Sequence, residues 1–200
     1  YDLKQLYRLI LNSRTYQLAS ILRKKSPEAE ANFACYPLRR IEAEVLIDAL
    51  NQITGTTEKY SSPIPEPFTF IPEDQRSIAL PDGSITSSFL EMFGRSARDT
   101  GLESERNNRL TAAQRLHLLN SSHIQRKIEQ SRMIQYQLEG QKTIREIATG
   151  IYLGILSRFP TEDELVTVEA YAPSGKLKVR EAAVDLVWAL INSAEFLYRH

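Results

Sequence analysis

Apolar side chains recur every three or four positions at the start of the chain. This spacing places them on one face of a helix, and Asp2 is in position to cap the first turn. The apolar positions are Leu3, Leu6, Tyr7, Ile10 and Leu11. The pattern therefore predicts an amphipathic first helix that begins at Asp2.

A second apolar stripe predicts a helix from about Pro37 to Ile53, with Gly55 as its C-terminal stop. At 100° per residue, Glu42 falls near the centre of this stripe. The apolar members of the stripe are Leu38, Ile41, Val45, Leu46, Ala49 and Ile53. The opposite side carries Arg40, Glu44 and Asp48 at i, i+4 spacing, which predicts a solvated row of ion pairs.

Glu42 needs a partner if it lies within an apolar stripe, because a buried carboxylate must be paired or shift its pKa upward. Two interpretations remain open. Glu42 is either one half of a structural salt bridge or a functional acid.

The helical period is lost between about residues 56 and 88, where prolines recur. This region is predicted to be an irregular lobe with at most a small hairpin, formed by Phe68–Ile71 and Ser77–Leu80. Phe89, Leu90 and Phe93 then indicate a short helix that ends at Gly94.

Four capping boxes mark helix starts in the second half of the chain. They pair Thr111 with Gln114, Ser122 with Gln125, Thr143 with Glu146, and Thr161 with Glu164. Pro160 ends the helix after Thr143, and the helix after Thr161 reaches Tyr171. These signals predict four helix starts.

The last predicted helix spans about Lys178 to Tyr198 and is apolar on more than one side. Trp188 and Phe196 lie away from its main stripe, so this helix is either central or in contact with another domain or chain. We therefore consider Trp188 and Phe196 candidate interface residues. The fold class is mainly α, a single helical domain over residues 1–200 that we expect to be excised from a longer chain.

Charge and composition narrow the classes of partner. The 25 basic and 25 acidic residues cancel, so no global field favours nucleic acid. No apolar run is long enough to span a membrane, and the single cysteine, Cys35, excludes an internal disulfide.

The densest polar stretch runs from Gly94 to Asn120. Its candidate site residues are Glu103, Glu105, Arg106, Asn107, Asn108 and Arg109. They could bind an anionic ligand with a glutamate as general base. Alternatively, Arg106 or Arg109 could pair with Glu42 and hold the loop against the core, and this second interpretation also accounts for Glu42.

No motif for catalysis, haem attachment or metal binding accompanies this stretch. His117 and His123 are six residues apart, on what we predict are successive helices, and this is not the i, i+4 spacing of a metal pair. We therefore expect no cofactor and no metal in this segment.

Seven sequence blocks, in order, resemble one known family. They are SRTYQ (13–17), PLRRIEAEVLIDAL (37–50), RSIAL (76–80), FLEMFGR (89–95), ERNNRLTAAQRLHLLNS (105–121), YLGILSRFPTEDE (152–164) and LINSAEFLYRH (190–200). The chain resembles the bacterial domain-of-unknown-function family 1553, which is abundant in Planctomycetes. The resemblance implies the C-terminal part of a large exported protein, hence an extracytoplasmic location and preceding domains of the same parent chain as partners. It implies no established activity.

Two functions are compatible with these observations. The first is a non-catalytic domain that packs against other domains of an exported protein. The alternative is an enzyme or glycan-handling domain with a polar site around residues 103–109, completed by a neighbouring domain.

Overall fold

The computed structural model describes residues 2–21, 26, 28–29, 31–36, 38–64, 70–81, 83–96, 106–107, 109–140, 142–172 and 176–199. By contacts the chain divides into two compact units. Unit 1 comprises Tyr1–Arg40 with Tyr198–His200, and unit 2 comprises Ile41–Leu197. The mainly α fold class is confirmed. The assignment of all 200 residues to one domain stays a prediction.

Unit 1 contains helix α1 (Leu3–Leu11) and a short antiparallel pair of strands, β1 (Arg39–Arg40) and β2 (Tyr198–Arg199). The first helix begins as predicted, because the Asp2 carboxylate accepts a hydrogen bond from the Gln5 amide at 3.0 Å. None of the nine residues of α1 is buried.

Unit 2 carries the core of the molecule. Its elements are α2 (Ala43–Thr54), a 3-10 turn (Ser77–Ala79), α3 (Ser88–Met92), α4 (Ala112–Asn120), α5 (Ser122–Glu129), α6 (Arg132–Leu138), α7 (Ile144–Leu156), α8 (Glu162–Tyr171), α9 (Lys176–Ile191) and α10 (Ala194–Leu197). Leu46 of α2, Ile128 of α5, Ile151 of α7 and Val187 of α9 are fully buried in one continuous apolar cluster. In the part of the chain that the structure describes, no helix is long and apolar enough to cross a bilayer.

Helix α2 begins later and buries a different face than the apolar stripe predicts. It starts at Ala43 instead of Pro37, because the backbone at Arg39–Arg40 is extended and pairs in a strand. Val45 is 42% exposed, whereas Glu44 and Asp48 are buried. The predicted solvated row is therefore wrong for both carboxylates. The predicted stop is confirmed, since Gly55 adopts a left-handed conformation with φ +67°.

Helix starts in the second half of the chain follow the capping signals closely. The boxes at Thr111, Thr143 and Thr161 are all formed. The box predicted at Ser122 is wrong by one residue, because Ser121 accepts the hydrogen bond from the Ile124 amide and caps α5. Ser121 also ends α4, so a single residue separates the two helices.

The irregular lobe contains less strand than predicted. Ser77–Ala79 forms a 3-10 turn, so the predicted strand at Ser77–Leu80 is wrong. The described part of the lobe has one isolated antiparallel bridge, between Ser61 and Thr86. Residues 65–69 lie outside the described residues, which leaves the other strand untested. Helix α3 and its stop at Gly94 are confirmed.

The last predicted helix is interrupted. Helix α9 ends at Ile191. Beyond it, the Asn192 side chain donates a hydrogen bond to the Trp188 carbonyl at 2.9 Å, and the Ser193 hydroxyl donates to the Leu190 carbonyl at 2.7 Å. These side chains therefore satisfy carbonyl groups at the end of the helix. Ser193 also accepts from the Phe196 amide at 3.2 Å and so begins α10. The continuous helix to Tyr198 is therefore wrong.

Candidate functional site

A buried ion cluster joins α2 to the polar stretch. Arg106 donates two parallel hydrogen bonds to the Glu44 carboxylate, at 2.8 and 2.7 Å, and Arg95 Nε lies 3.4 Å from the same group. The side chains of Glu44 and Arg95 are 4% and 10% exposed. We call these three residues the Glu44 cluster.

The backbone around Gly94 brings Arg106 to α2. The Asn107 amide donates to the Gly94 carbonyl at 3.0 Å. Gly94 has φ +92°, and a Cβ atom there would lie only 2.0 Å from the Asn107 carbonyl oxygen. Glycine is therefore required by both the backbone conformation and the close approach. The Gln114 side chain, which closes the capping box of α4, also donates to the Met92 carbonyl at 2.8 Å.

The Glu44 carboxylate stays ionised although it is buried. Burial alone would raise its pKa, but the hydrogen bonds from Arg106 and the charges of Arg106 and Arg95 outweigh burial and lower the pKa below its ordinary value. A bidentate arginine that fully occupies a carboxylate leaves little of it for a substrate. The cluster thus has the character of a structural ion pair.

The sequence predicted that Arg106 or Arg109 holds a buried acid of the second helix, and named Glu42. The acid that Arg106 contacts in the structure is Glu44. Glu42 is half-buried and occupies the N-cap position of α2. Arg109 is exposed, and its backbone N–H donates a hydrogen bond to the side-chain oxygen of Asn107 at 3.2 Å.

Asp48 is a second buried carboxylate on α2, and backbone amides satisfy it. It accepts hydrogen bonds from the N–H groups of Ser77 and Ile78 at 2.7 and 3.1 Å, while Arg76 Nε lies 3.6 Å away. These contacts attach the 3-10 turn to the helix. The partners are 29 and 30 residues distant in sequence, so helical periodicity does not contain this information.

A third polar cluster links two histidines to a buried glutamate. His117 Nε2 lies 3.2 Å from His123 Nδ1, and His123 Nε2 lies 2.9 Å from the Glu58 carboxylate. Both rings meet the ring of Phe89 edge-on, with centroids 5.8 and 5.9 Å away. A single residue separates α4 from α5, so the chain turns sharply at this point. The turn brings the two imidazole rings into contact.

Lys127 completes this cluster from α5. Its ammonium group lies 3.1 Å from Glu58, and it donates to the Asn51 side chain at 2.7 Å and to the Thr57 carbonyl at 2.8 Å. The side chains of Lys127 and Glu58 are 8% and 10% exposed. We call Glu58, His117, His123 and Lys127 the histidine cluster.

The histidine cluster lowers the pKa values of two of its members, His117 and Glu58. Burial lowers the pKa of His117, and the neighbouring His123 acts in the same direction against the opposing charge of Glu58. Burial would raise the pKa of the Glu58 carboxyl, but hydrogen bonds and charges from His123 and Lys127 outweigh it and hold the pKa low. The contacts from the Glu58 carboxylate through His123 to His117 fix the orientation of both imidazole rings.

The family model described as "PSD1: Protein of unknown function (DUF1553)" matches residues 1–172. The chain belongs to this family. No curated protein and no solved structure matches it.

In this DUF1553 chain, the predicted site residues separate into three groups. Arg106 enters the Glu44 cluster, whereas Asn107 and Arg109 are exposed. Three further candidates lie outside the described residues, namely Glu103, Glu105 and Asn108. Among the described residues, no group of three or more histidine, cysteine, aspartate or glutamate side chains is placed to hold a metal ion.

The candidate interface residues lie beyond the matched DUF1553 segment, on and after α9. Phe196 is buried in the core of unit 2 and offers no surface to a partner. Trp188 is half-buried, and its indole N–H donates to the Leu119 carbonyl of α4 at 3.0 Å. Trp188 also lines a surface pocket.

Sequence reasoning missed the histidine cluster. It placed His117 and His123 on successive helices, and this is confirmed. It considered their spacing of six only as a metal-binding pattern, and did not predict a contact between them. The signal that could have revealed the contact is the pair of serines at 121 and 122, since a capping serine directly after a helix end predicts a sharp corner.

Proposed function

We propose that this chain is a non-catalytic interaction domain of an exported, multidomain bacterial protein, and that α1 contacts a preceding domain of the same parent chain. The observation that carries the proposal is the exposed apolar face of α1. The extracytoplasmic location and the identity of the partner rest on the family resemblance.

All six apolar residues of α1 are between 43% and 65% exposed. They are Leu3, Leu6, Tyr7, Leu9, Ile10 and Leu11. Scattered exposed apolar residues are normal on a protein surface, but a contiguous stripe on one helix marks a contact surface. Lys4 and Arg8 border this stripe, so the proposed partner surface is apolar with carboxylates at its edge.

The length of α1 supports the same conclusion. A helix of nine residues is marginal in water, because isolated helices need roughly 12–15 residues to persist even with favourable sequences. Helices of this length draw most of their stability from packing of the apolar face. A partner that covers the face of α1 would therefore stabilise the helix and gain affinity from the buried area.

The polar clusters are better explained as parts of the fold. The Glu44 cluster attaches the polar stretch to α2, and Asp48 attaches the 3-10 turn. These contacts engage the carboxylates of Glu44 and Asp48, the two buried acids of α2. For the alternative, an enzyme or glycan-handling site around residues 103–109, the described residues provide Asn107 and Arg109 at the surface.

The proposal is tested by binding between this chain and the preceding domain of the parent protein, expressed separately and measured by calorimetry. Replacing Leu6 and Ile10 together with glutamine keeps helix propensity and removes the apolar stripe. We expect this double variant to bind at least about tenfold more weakly, since two buried aliphatic side chains contribute roughly 1.5–3 kcal/mol each.

Gln5→Ala is the matched control, because Gln5 lies on the polar side of α1. It should bind as the unchanged chain does. Circular dichroism of all three proteins separates loss of binding from loss of fold. Absence of any association, or equal affinity of the double variant, would contradict the role of α1. Cell fractionation of the source bacterium tests export independently.

A further inference from the structure

A pocket of about 400 Å³ lies between α8 and α9, within unit 2. This volume is at the lower end of ligand pockets, which run from roughly 300 to 1,000 Å³. Its walls are predominantly apolar. They comprise Thr167, Val168 and Tyr171 from α8, and Ala182, Asp185, Leu186, Trp188 and Ala189 from α9.

Two aromatic residues and one carboxylate share this pocket. The Tyr171 hydroxyl donates to the Asp185 carboxylate at 2.7 Å, which holds the carboxylate at the pocket wall. Trp188 is fixed by its hydrogen bond to the Leu119 carbonyl. The N–H group of Trp188 is thus occupied, and the rest of the indole supplies apolar aromatic surface to the pocket lining.

The charge of Asp185 is not neutralised by a basic side chain. Its partner is the neutral hydroxyl of Tyr171, and within the described chain no lysine or arginine lies within ion-pair distance of it. Glu181 lies one turn earlier on α9, and the hydrogen bond from Tyr171 to Asp185, together with both negative charges, raises the pKa of Tyr171. Arg180 on the same helix donates to the Glu129 carbonyl of α5.

The arrangement combines an apolar cavity, two aromatic side chains and a carboxylate that has no basic partner among the described residues. Anions are repelled by Asp185 and Glu181. A polyhydroxylated ligand would find few hydrogen-bonding groups on these walls. An organic cation with apolar substituents satisfies every feature, because aromatic faces and a carboxylate attract the charge while the alkyl groups displace water from the pocket.

We propose that the α8/α9 pocket binds a small quaternary or alkylated ammonium ligand, with Trp188 and Tyr171 contacting the cation face-on and Asp185 supplying the opposite charge. The pocket is formed by residues of unit 2 alone, so this proposal does not rest on the proposed contact of α1. Trp188 and Asp185 also lie beyond the segment that matches the DUF1553 model.

The test is a fluorescence titration of the whole chain, in which Trp188 is the single tryptophan. Choline chloride is the probe, and 3,3-dimethyl-1-butanol is its neutral isostere, with sodium chloride keeping the ionic strength constant. We expect a saturable change with choline. The neutral isostere should bind at least about fivefold more weakly, because it retains the shape but lacks the cation–π and charge contacts.

Two substitutions examine the residues separately. Asp185→Asn keeps the shape and the contact with Tyr171 but removes the charge, so choline affinity should fall about fivefold. Trp188→Leu removes the indole ring, and we expect this variant to lose choline binding. Because it has no tryptophan, its binding is measured by NMR, from the amide resonances of α8 and α9. Asp163→Asn is the control, since it changes the net charge equally but lies outside the pocket lining.

Several results would overturn the assignment. They are equal affinity for choline and its isostere, unchanged affinity in Asp185→Asn, or an absence of saturable change in both fluorescence and amide resonances. A choline response that the α1 variants leave unchanged would support this site even if α1 failed to bind a preceding domain.

Discussion

The carboxylate of Glu44 is almost completely shielded from water, and arginine side chains contact it instead. Its side chain is 4% exposed, and Arg106 and Arg95 surround the carboxylate. Such a pair contributes little net stability relative to apolar residues, since both charges lose hydration. Removing one partner is different, because the remaining charge stays buried without its counter-ion.

This asymmetry gives a prediction for Glu44→Gln. The glutamine keeps the size of the side chain but removes the buried negative charge that Arg106 and Arg95 contact, so the free energy of unfolding should fall by about 3 kcal/mol. Urea denaturation followed by circular dichroism measures the loss. Glu169→Gln is the matched control, since Glu169 pairs with Arg145 at 2.7 Å but is 42% exposed. Its cost should stay below about 1 kcal/mol.

Acid should abolish the difference between Glu44→Gln and the unchanged chain. The folded pKa of Glu44 is lowered from 4.5, so its contribution to stability is present above pH 4.5 and is lost as pH falls through the folded pKa. A gap between the two proteins that persists in strong acid would show that the substitution acts through packing and not through charge.

At the scale of elements, the corner between α4 and α5 joins a helix boundary to a group of titratable side chains. His117 belongs to the last turn of α4 and His123 to the first turn of α5. The charged groups that face them are Glu58 from the preceding loop and Lys127 from α5, whereas α3 contributes the apolar ring of Phe89. Protonation of both imidazoles would place two positive charges 3.2 Å apart.

The corner should therefore lose stability in mild acid. The pKa of His117 in the folded chain is below 6.5, so the unfolded chain binds this proton more readily. The free energy of unfolding therefore decreases as pH falls below 6.5. One proton contributes at most about 1.4 kcal/mol per pH unit. His117→Gln should reduce the slope of stability against pH between about pH 7 and 5, measured by urea denaturation at each pH.

Arg115→Gln is the control for this slope, because Arg115 is an exposed residue on the same helix. It should leave the pH dependence unchanged. If His117→Gln had the same slope as the unchanged chain, the histidine pair would not be the source of acid sensitivity.

The sequence predicted those elements whose signals are local. Capping boxes at Thr111, Thr143 and Thr161 and the glycine at position 55 each define a boundary within four residues, and all are confirmed. The buried face of α2 was wrong because its carboxylates find partners far away in sequence. Arg106 is 62 residues from Glu44, so a helical wheel that counts apolar residues assigns the carboxylate to solvent.

At the scale of the whole molecule, the apolar core belongs to one of the two units. The buried cluster runs from Ala43 to Phe196, within the bounds of unit 2. In unit 1, α1 buries none of its residues. In this DUF1553 chain the buried apolar cluster thus lies in unit 2, while the apolar face of α1 in unit 1 is exposed.

A fragment spanning residues 41–197 should therefore fold alone. We expect it to unfold cooperatively, with a free energy of unfolding within about 1 kcal/mol of the whole chain, because the residues it lacks contribute little to the core. Urea denaturation followed by the fluorescence of Trp188 compares the two. Ile151→Ala in the whole chain calibrates the assay, since Ile151 is fully buried and its truncation should cost about 3 kcal/mol. A fragment that loses as much stability as Ile151→Ala would mean that residues 1–40 or 198–200 support the core of unit 2, and the case for α1 as a surface reserved for a partner would fail with it.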